Sequence, residues 1–291
     1  MNGKKILVTL IWFFMGINII LFVANYMLKE KEYKVSTDRI ENIEQVLEKQ
    51  GITIECELPR IYEPKVAAEL SFAGASVRYT VEKNFFGNDL VSVKHSVGKS
   101  KENPLSDMKV QYCTFNNEVL AFDGNALHYE NKGIVFDENG TEQNAHAACN
   151  ALIKRIDPNR KESYRIVATP TDEGWQIMYY PLLDNVPVED SYMIFKVCKS
   201  GVLNATMYLS EMNVVNTEKR EVVAIDLVLF NLIDYLKTES VEAITNVELV
   251  YKDLPDNSEM WEEEIVPAYK ITAKGLDQPL FVNAYTNEII K

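Results

Sequence analysis

One unbroken apolar run near the N-terminus limits what this chain can fold into. The run ILVTLIWFFMGINIILFVANYML extends from Ile6 to Leu28 and contains no charged side chain. As a helix that rises ~1.5 Å per residue it would be ~34 Å long, which suits a hydrocarbon core of ~30 Å. A cleaved signal peptide is the alternative, but it requires a shorter apolar region and a small-residue cleavage site, which this run does not convincingly offer. The sequence therefore predicts an uncleaved transmembrane helix over residues 6–28, between a tail at 1–5 and a stem at 29–35.

A candidate partner-binding seam follows one face of this predicted helix. The 3-4 spacing that places residues on one helix face is shared by Ile11, Phe14, Asn18, Leu21 and Asn25. Asn18 would lie near the bilayer midplane, where an unpaired amide is costly. Two interpretations remain for Asn18: a hydrogen bond to another transmembrane helix, or an anchor that tolerates one polar residue. For Asn25 the simpler interpretation is that its side chain reaches the membrane interface.

Composition and charge exclude several classes of protein. The chain has 291 residues, of which 47% are hydrophobic and 25% are charged, as expected of a protein with a packed core. With 43 acidic and 30 basic residues the formal net charge is −13. Nucleic-acid binding would need clustered Lys and Arg, so no nucleic-acid partner is expected.

The pattern of apolar residues beyond the stem predicts an α+β fold. It favours two tandem lobes, 36–140 and 141–291, each with an antiparallel sheet and helices packed on it. An N-cap at Asp38 and a stop at Gly51 mark a first helix. Further helices are predicted at 144–156 and about 222–237. Strands are predicted at 52–58, in several short segments of 76–137 that include Val77–Val81, and at 164–169, 175–180, 192–198, 202–209, 243–251, 268–273 and 280–285.

No reaction centre is recognisable in the sequence. His95, His128 and His146 lie outside any HExxH motif, and nothing resembles a GxSxG elbow, an SxxK pair or a phosphate-binding glycine loop. His146 and Cys149 share a face of the helix at 144–156, but no CxxC supplies further zinc ligands, so a packed helix face is the better interpretation. We therefore expect no enzyme, no catalytic residues, no cofactor and no metal.

The four cysteines do not have the density of a disulfide framework. Cys56, Cys113, Cys149 and Cys198 are widely spaced and lie in predicted strands or a helix. Buried free thiols behave as small apolar side chains, which is the favoured interpretation. One or two disulfides remain the alternative, since spacing does not give connectivity.

The order of short motifs along the chain resembles the YycH/YycI family. After the apolar run come Tyr33-Lys-Val-Ser36, Gly51-Ile-Thr-Ile and Leu58-Pro59. The middle of the chain adds Gly174-Trp-Gln-Ile-Met-Tyr-Tyr-Pro181, Asn185-Val-Pro-Val188 and Ser200-Gly201-Val202. The end, Pro267–Ile271 with Phe281–Ile289, is similar to the closing hairpin of PepSY-like modules, which often carry an acidic residue and a glycine where this chain has Asn283 and Asn287. The four cysteines and the acidic segment 252–264 depart from the family pattern.

The resemblance to YycI implies a membrane-anchored regulator of the WalK (YycG) sensor histidine kinase, with a YycH-like companion and no catalysis. The Lys and Arg residues on the two flanks of the apolar run do not fix an orientation. The resemblance instead favours a single-pass cell-membrane protein with a cytoplasmic N-terminus and an extracytoplasmic C-terminal domain. The seam at Ile11, Phe14, Asn18, Leu21 and Asn25 would then contact the kinase. A PepSY-like extracytoplasmic module that inhibits a protease or binds cell-envelope components is the alternative.

Overall fold

The computed structural model describes residues 10–23, 33–72, 75–99, 109–134, 140–160, 163–208, 210–214, 217–254 and 262–290. This part of the chain contains five helices and a 3-10 turn at Gly87–Ser92. The helices are α1 (10–23), α2 (Thr37–Glu48), α3 (Ala75–Phe86), α4 (Glu142–Ile156) and α5 (Ile225–Thr238).

Sixteen strands account for most of the remaining described residues. They are β1 (Thr53–Ile54), β2 (Ala68–Phe72), β3 (Lys94–Lys99), β4 (Lys109–Phe115), β5 (Glu118–Asp123), β6 (Ala126–Asn131), β7 (Tyr164–Thr171), β8 (Gly174–Leu183), β9 (Val186–Pro187), β10 (Met193–Cys198), β11 (Gly201–Tyr208), β12 (Ser210–Val214), β13 (Ala243–Asp253), β14 (Glu262–Lys274), β15 (Leu280–Asn283) and β16 (Ile289–Ile290).

The first of two compact units comprises Met1–Lys65, Arg220–Glu248 and Tyr269–Ile289. Its strands follow the order β1-β13-β14-β15-β16, and β1 runs parallel to β13. Helices α2 and α5 contact each other and bury apolar faces. A bidentate ion pair joins the two helices, because Arg39 Nε and Nη2 each donate to the Asp226 carboxylate at 2.8 Å.

The second unit comprises Val66–Lys219, Leu249–Ala268 and Ile290–Lys291. It contains a nine-stranded antiparallel sheet with the order β3-β4-β5-β6-β11-β10-β8-β7, and β9 pairs with β8. Helices α3 and α4 cover one face of this sheet and enclose its main core. A smaller core lies where β2 pairs with β12 and with the start of β14.

The prediction of two tandem lobes at 36–140 and 141–291 does not describe these units. Both units are discontinuous in sequence, and β13 and β14 each contribute residues to both. The boundary between the units falls inside continuous strands. The sequence therefore has no Gly-, Pro- or Ser-rich linker that would mark this boundary. The α+β class itself is as predicted.

Helix α3 corrects the predicted strand at Val77–Val81. Val77, Val81 and Phe85 recur every four residues and pack into the core of the nine-stranded sheet, whereas Tyr79 is 60% exposed. The alternation of Val77, Tyr79 and Val81 is therefore part of a helical period that continues to Phe85.

The single-pass membrane anchor is also corrected. Within the described ranges, none of the helices combines the length and the apolar character needed to cross a bilayer. The described part of the predicted span is helix α1. Residues 6–9 and 24–28 of that span lie outside the described residues. This finding overturns the predicted transmembrane helix over 6–28 and the single-pass localisation derived from it.

Candidate functional site

Four of the five predicted seam residues lie on helix α1. Ile11, Phe14 and Leu21 are 52%, 55% and 54% exposed, and Asn18 is exposed beside them. The Asn18 amide donates a 2.9 Å hydrogen bond to the Phe14 carbonyl oxygen one turn earlier in the same helix. Asn25 lies outside the described residues. The role of this face in partner binding stays a prediction.

The two faces of the nine-stranded sheet have different surroundings. Along β6, Leu127 and Tyr129 enter the core beneath α3 and α4, while His128 and Glu130 point to the opposite face because side chains alternate along a strand. The same alternation applies to β4, β5, β10 and β11. The face opposite the helices forms a groove of about 450 Å³.

Two rows of cross-strand neighbours build this groove. The first row crosses β4, β5, β6, β11 and β10 in the order Tyr112, Ala121, His128, Thr206 and Ile194. Ala121 is small and only 7% exposed, so it leaves depth in the floor. His128 Nδ1 lies 3.1 Å from Thr206 Oγ1, which fixes the imidazole against the neighbouring strand.

The second row adds charge to the groove. It runs in the order Val119, Glu130, Asn204 and Lys196 across β5, β6, β11 and β10. Glu130 and Lys196 bring opposite charges to the groove lining on either side of Asn204. The lining therefore combines a first row of aromatic, aliphatic and hydroxyl side chains with a second row that holds both an acceptor and a cation.

The other histidines occupy different surroundings. His146 Nδ1 lies 3.4 Å from the Tyr179 hydroxyl, and Cys149 is fully buried on the same helix. This is the packed helix face that the sequence predicts. His95, on β3, contacts the buried carboxylate of Glu82 on α3.

All four cysteines are free thiols, as predicted. Burial is the main reason that the pKa of Cys149 is raised to about 12. Burial and the neighbouring carboxylate of Glu82 raise the pKa of Cys113 to about 12 as well. Both thiols are therefore poor nucleophiles at neutral pH.

Sequence reasoning missed the groove because its residues come from strands that are far apart in sequence. His128 and Thr206 are neighbours only because β6 pairs with β11. Alternation within each strand indicated which residues share a face, but no local signal gives the order of strands in the sheet.

No family model and no curated protein matches this chain. A solved structure similar in fold is an uncharacterized protein from Eubacterium rectale ATCC 33656, with a TM-score of 0.54 and 12% identity, over 87% of this chain and 98% of that one. A distant structural neighbour is the Bacillus megaterium YpeB C-terminal domain, with a TM-score of 0.37 and 10% identity, over 76% of this chain and 96% of that one. The Eubacterium rectale protein is a likeness of fold alone.

Proposed function

We propose that this chain is a regulatory binding protein whose groove holds an extended segment of a partner protein. The observation that carries the proposal is the grooved sheet face opposite α3 and α4, with its first row of cross-strand neighbours and its charged second row. Neighbouring strands are ~4.8 Å apart, so a row that crosses five strands is ~19 Å long. An extended segment of about six residues has that length at ~3.3 Å per residue.

The chemistry of the two rows suits a peptide segment. The floor at Ala121 accepts an apolar side chain, while Lys196 and Glu130, whose carboxylate also lies 3.9 Å from Lys132 Nζ, offer charges of both signs to polar or charged groups. The groove of about 450 Å³ has the size of a small-molecule pocket, for which ~300–1,000 Å³ is usual.

The resemblance to the YycH/YycI family supports a WalK-like sensor histidine kinase as the partner, with a YycH-like companion. Regulation would follow from different contact energies with two states of the kinase, which shift the equilibrium between those states. The exposed α1 face with Ile11, Phe14, Asn18 and Leu21 is a second proposed contact with the kinase.

A pair of matched variants tests the groove. Thr206→Arg introduces a long cation at the centre of the first row, and Thr169→Arg makes the same change on β7, where Thr169 is exposed on the same sheet. We expect Thr206→Arg to weaken binding of the full chain to a full-length WalK-like kinase at least tenfold, which is ~1.4 kcal/mol, and to alter kinase autophosphorylation. Thr169→Arg should bind within about twofold of the parent chain.

Equal affinities of the two variants would refute the groove as the contact surface. Capture of a protease or of an envelope component instead of the kinase, with the same dependence on Thr206, would replace the kinase by the PepSY-like alternative. For the α1 face, Leu21→Ala should weaken binding more than Ile20→Ala, since Ile20 lies on the other side of the helix and is 68% exposed.

A further inference from the structure

Three side chains with metal-binding atoms converge on the helix-covered side of the nine-stranded sheet. They are Glu82 from α3, His95 from β3 and Cys113 from β4, and one ligand atom from each lies within 4.8 Å of the other two. His95 and Cys113 are direct cross-strand partners in the antiparallel ladder, which places both side chains on the same face.

A positive charge close to this cluster would stabilise its buried carboxylate. Glu82 is 6% exposed and Cys113 is fully buried, whereas the His95 side chain is 49% exposed. A buried carboxylate is stable only when it is paired or coordinates a metal. The Glu82 carboxylate contacts the His95 imidazole, whose ring also reaches solvent, and forms a hydrogen bond with the Cys113 thiol.

We propose that Glu82, His95 and Cys113 bind one Zn²⁺ ion. A thiolate sulfur, an imidazole nitrogen and a carboxylate oxygen are the donor types that zinc takes, at ~2.3, ~2.0 and ~2.0–2.2 Å. Three protein ligands leave one tetrahedral position, which a water molecule fills from the solvent side of His95. Gln111 Nε2, 3.9 Å from Cys113 Sγ, is placed to donate a hydrogen bond to the bound sulfur.

Charge and protons balance at this site. On binding, the S–H bond of Cys113 breaks, its proton leaves to solvent, and a Zn–S bond forms without any change of oxidation state. One thiolate and one carboxylate then neutralise the two positive charges of the ion. The neutral complex suits a buried position, and it links α3 to β3 and β4.

Metal titration of the full chain, first stripped with a chelator, tests the site. We expect one Zn²⁺ per chain by competition with a chromophoric chelator, and with Co²⁺ a near-ultraviolet charge-transfer band from the thiolate. His95→Ala should lower Zn²⁺ affinity by more than the ~10–100-fold that loss of an outer-shell partner typically causes. Cys113→Ser should remove the Co²⁺ band.

Matched variants separate this site from adventitious binding. His146→Ala and Cys149→Ser change the same residue types on α4, outside the cluster, and should leave affinity and band unchanged. No Zn²⁺ uptake, uptake that His95→Ala does not reduce, or Co²⁺ binding without a thiolate band would each overturn the proposal. His95 is half-exposed, so His95→Ala remains informative even where Cys113→Ser fails to fold.

Discussion

The bidentate pair between Glu118 on β5 and Arg155 on α4 gives a quantitative test of the second unit. Arg155 Nη1 and Nη2 donate to Glu118 Oε1 and Oε2 at 2.8 and 2.9 Å, and the Tyr129 hydroxyl donates to Oε1 at 2.9 Å. Hydrogen bonds to charged groups contribute ~1.5–3 kcal/mol each where they are buried. Arg155 is 45% exposed, so solvent screening reduces the pair as a whole to about 1–2 kcal/mol.

We expect Glu118→Gln to lower the free energy of unfolding at pH 7 by about 1–2 kcal/mol, or ~2–8 °C in Tm. A double-mutant cycle with Arg155→Met isolates the pair, because Arg155 also stacks over the Phe85 ring at 4.0 Å and loses that contact in either background. A coupling energy below about 0.3 kcal/mol would refute the argument, since that is the usual error of additivity.

The same pair has a pH dependence of defined sign. Burial raises the pKa of Glu118, but hydrogen bonds from Arg155 and Tyr129 outweigh burial and hold that pKa below its ordinary value. A carboxylate whose pKa is depressed by folding stabilises the fold above its unfolded pKa of ~4.3, and the contribution disappears as pH falls through the folded value. The penalty of Glu118→Gln should therefore shrink between pH 7 and pH 3.

An exposed ion pair is the control for this prediction. Lys274 Nζ lies 2.9 and 2.8 Å from the two oxygens of Glu55, and the side chains are 55% and 46% exposed. Surface pairs of this kind contribute ~0–1 kcal/mol. Glu55→Gln should thus change stability by less than about 0.5 kcal/mol at either pH.

Two further predictions concern backbone positions with positive φ. Gly174 has φ +117°, and an added Cβ would collide with the Val197 carbonyl oxygen. Gly174→Ala should therefore lower the free energy of unfolding, measured by denaturant titration, by more than about 1 kcal/mol. An unchanged midpoint would contradict this. Asn287 has φ +61° and a buried Oδ1 with no hydrogen-bond partner among the described residues. Asn287→Gly should therefore raise the free energy of unfolding by about 0.5–2 kcal/mol in the same assay. A decrease would show that Oδ1 accepts a hydrogen bond in the folded protein.

Helices with strong end signals were predictable from the sequence. The helix predicted at 144–156 is α4, Glu142–Ile156, whose N-terminus is capped by Thr141 Oγ1 accepting from the Asn144 amide at 3.2 Å. The helix predicted at about 222–237 is α5, Ile225–Thr238. The first helix was predicted to begin at Asp38, but Ser36 is the N-cap, a shift of the size expected when neighbouring polar residues can both cap.

Two asparagines shape the turn that follows β15. Asn283 is buried, and its Oδ1 accepts from the Tyr285 and Thr286 amides at 2.8 and 3.3 Å, as an acidic side chain would. Asn287 adopts the left-handed conformation for which glycine is the usual residue.

The candidate sites were less predictable than the elements, because each depends on strand pairing or helical phase. Glu82 lies beside His95 and Cys113 because residues 75–86 form a helix. The strand predicted at Val77–Val81 ended before Glu82 and predicted no contact for it. His95 and Cys113 are neighbours only through the register in which β3 pairs with β4.

Alternation along β4 makes the two proposed sites physically separable. Tyr112 points into the groove, whereas its neighbour Cys113 points into the core beneath the helices. A ligand in the groove and a metal at Cys113 therefore occupy opposite faces of one strand. The two bound groups do not touch, so a substitution can abolish the binding of one without directly affecting the other. Thr206→Arg should leave Zn²⁺ stoichiometry unchanged, and His95→Ala should leave kinase binding unchanged so long as the sheet stays folded. If both changes abolished both properties while circular dichroism stayed native, the sheet would couple the two sites, and the metal would then belong to the binding mechanism.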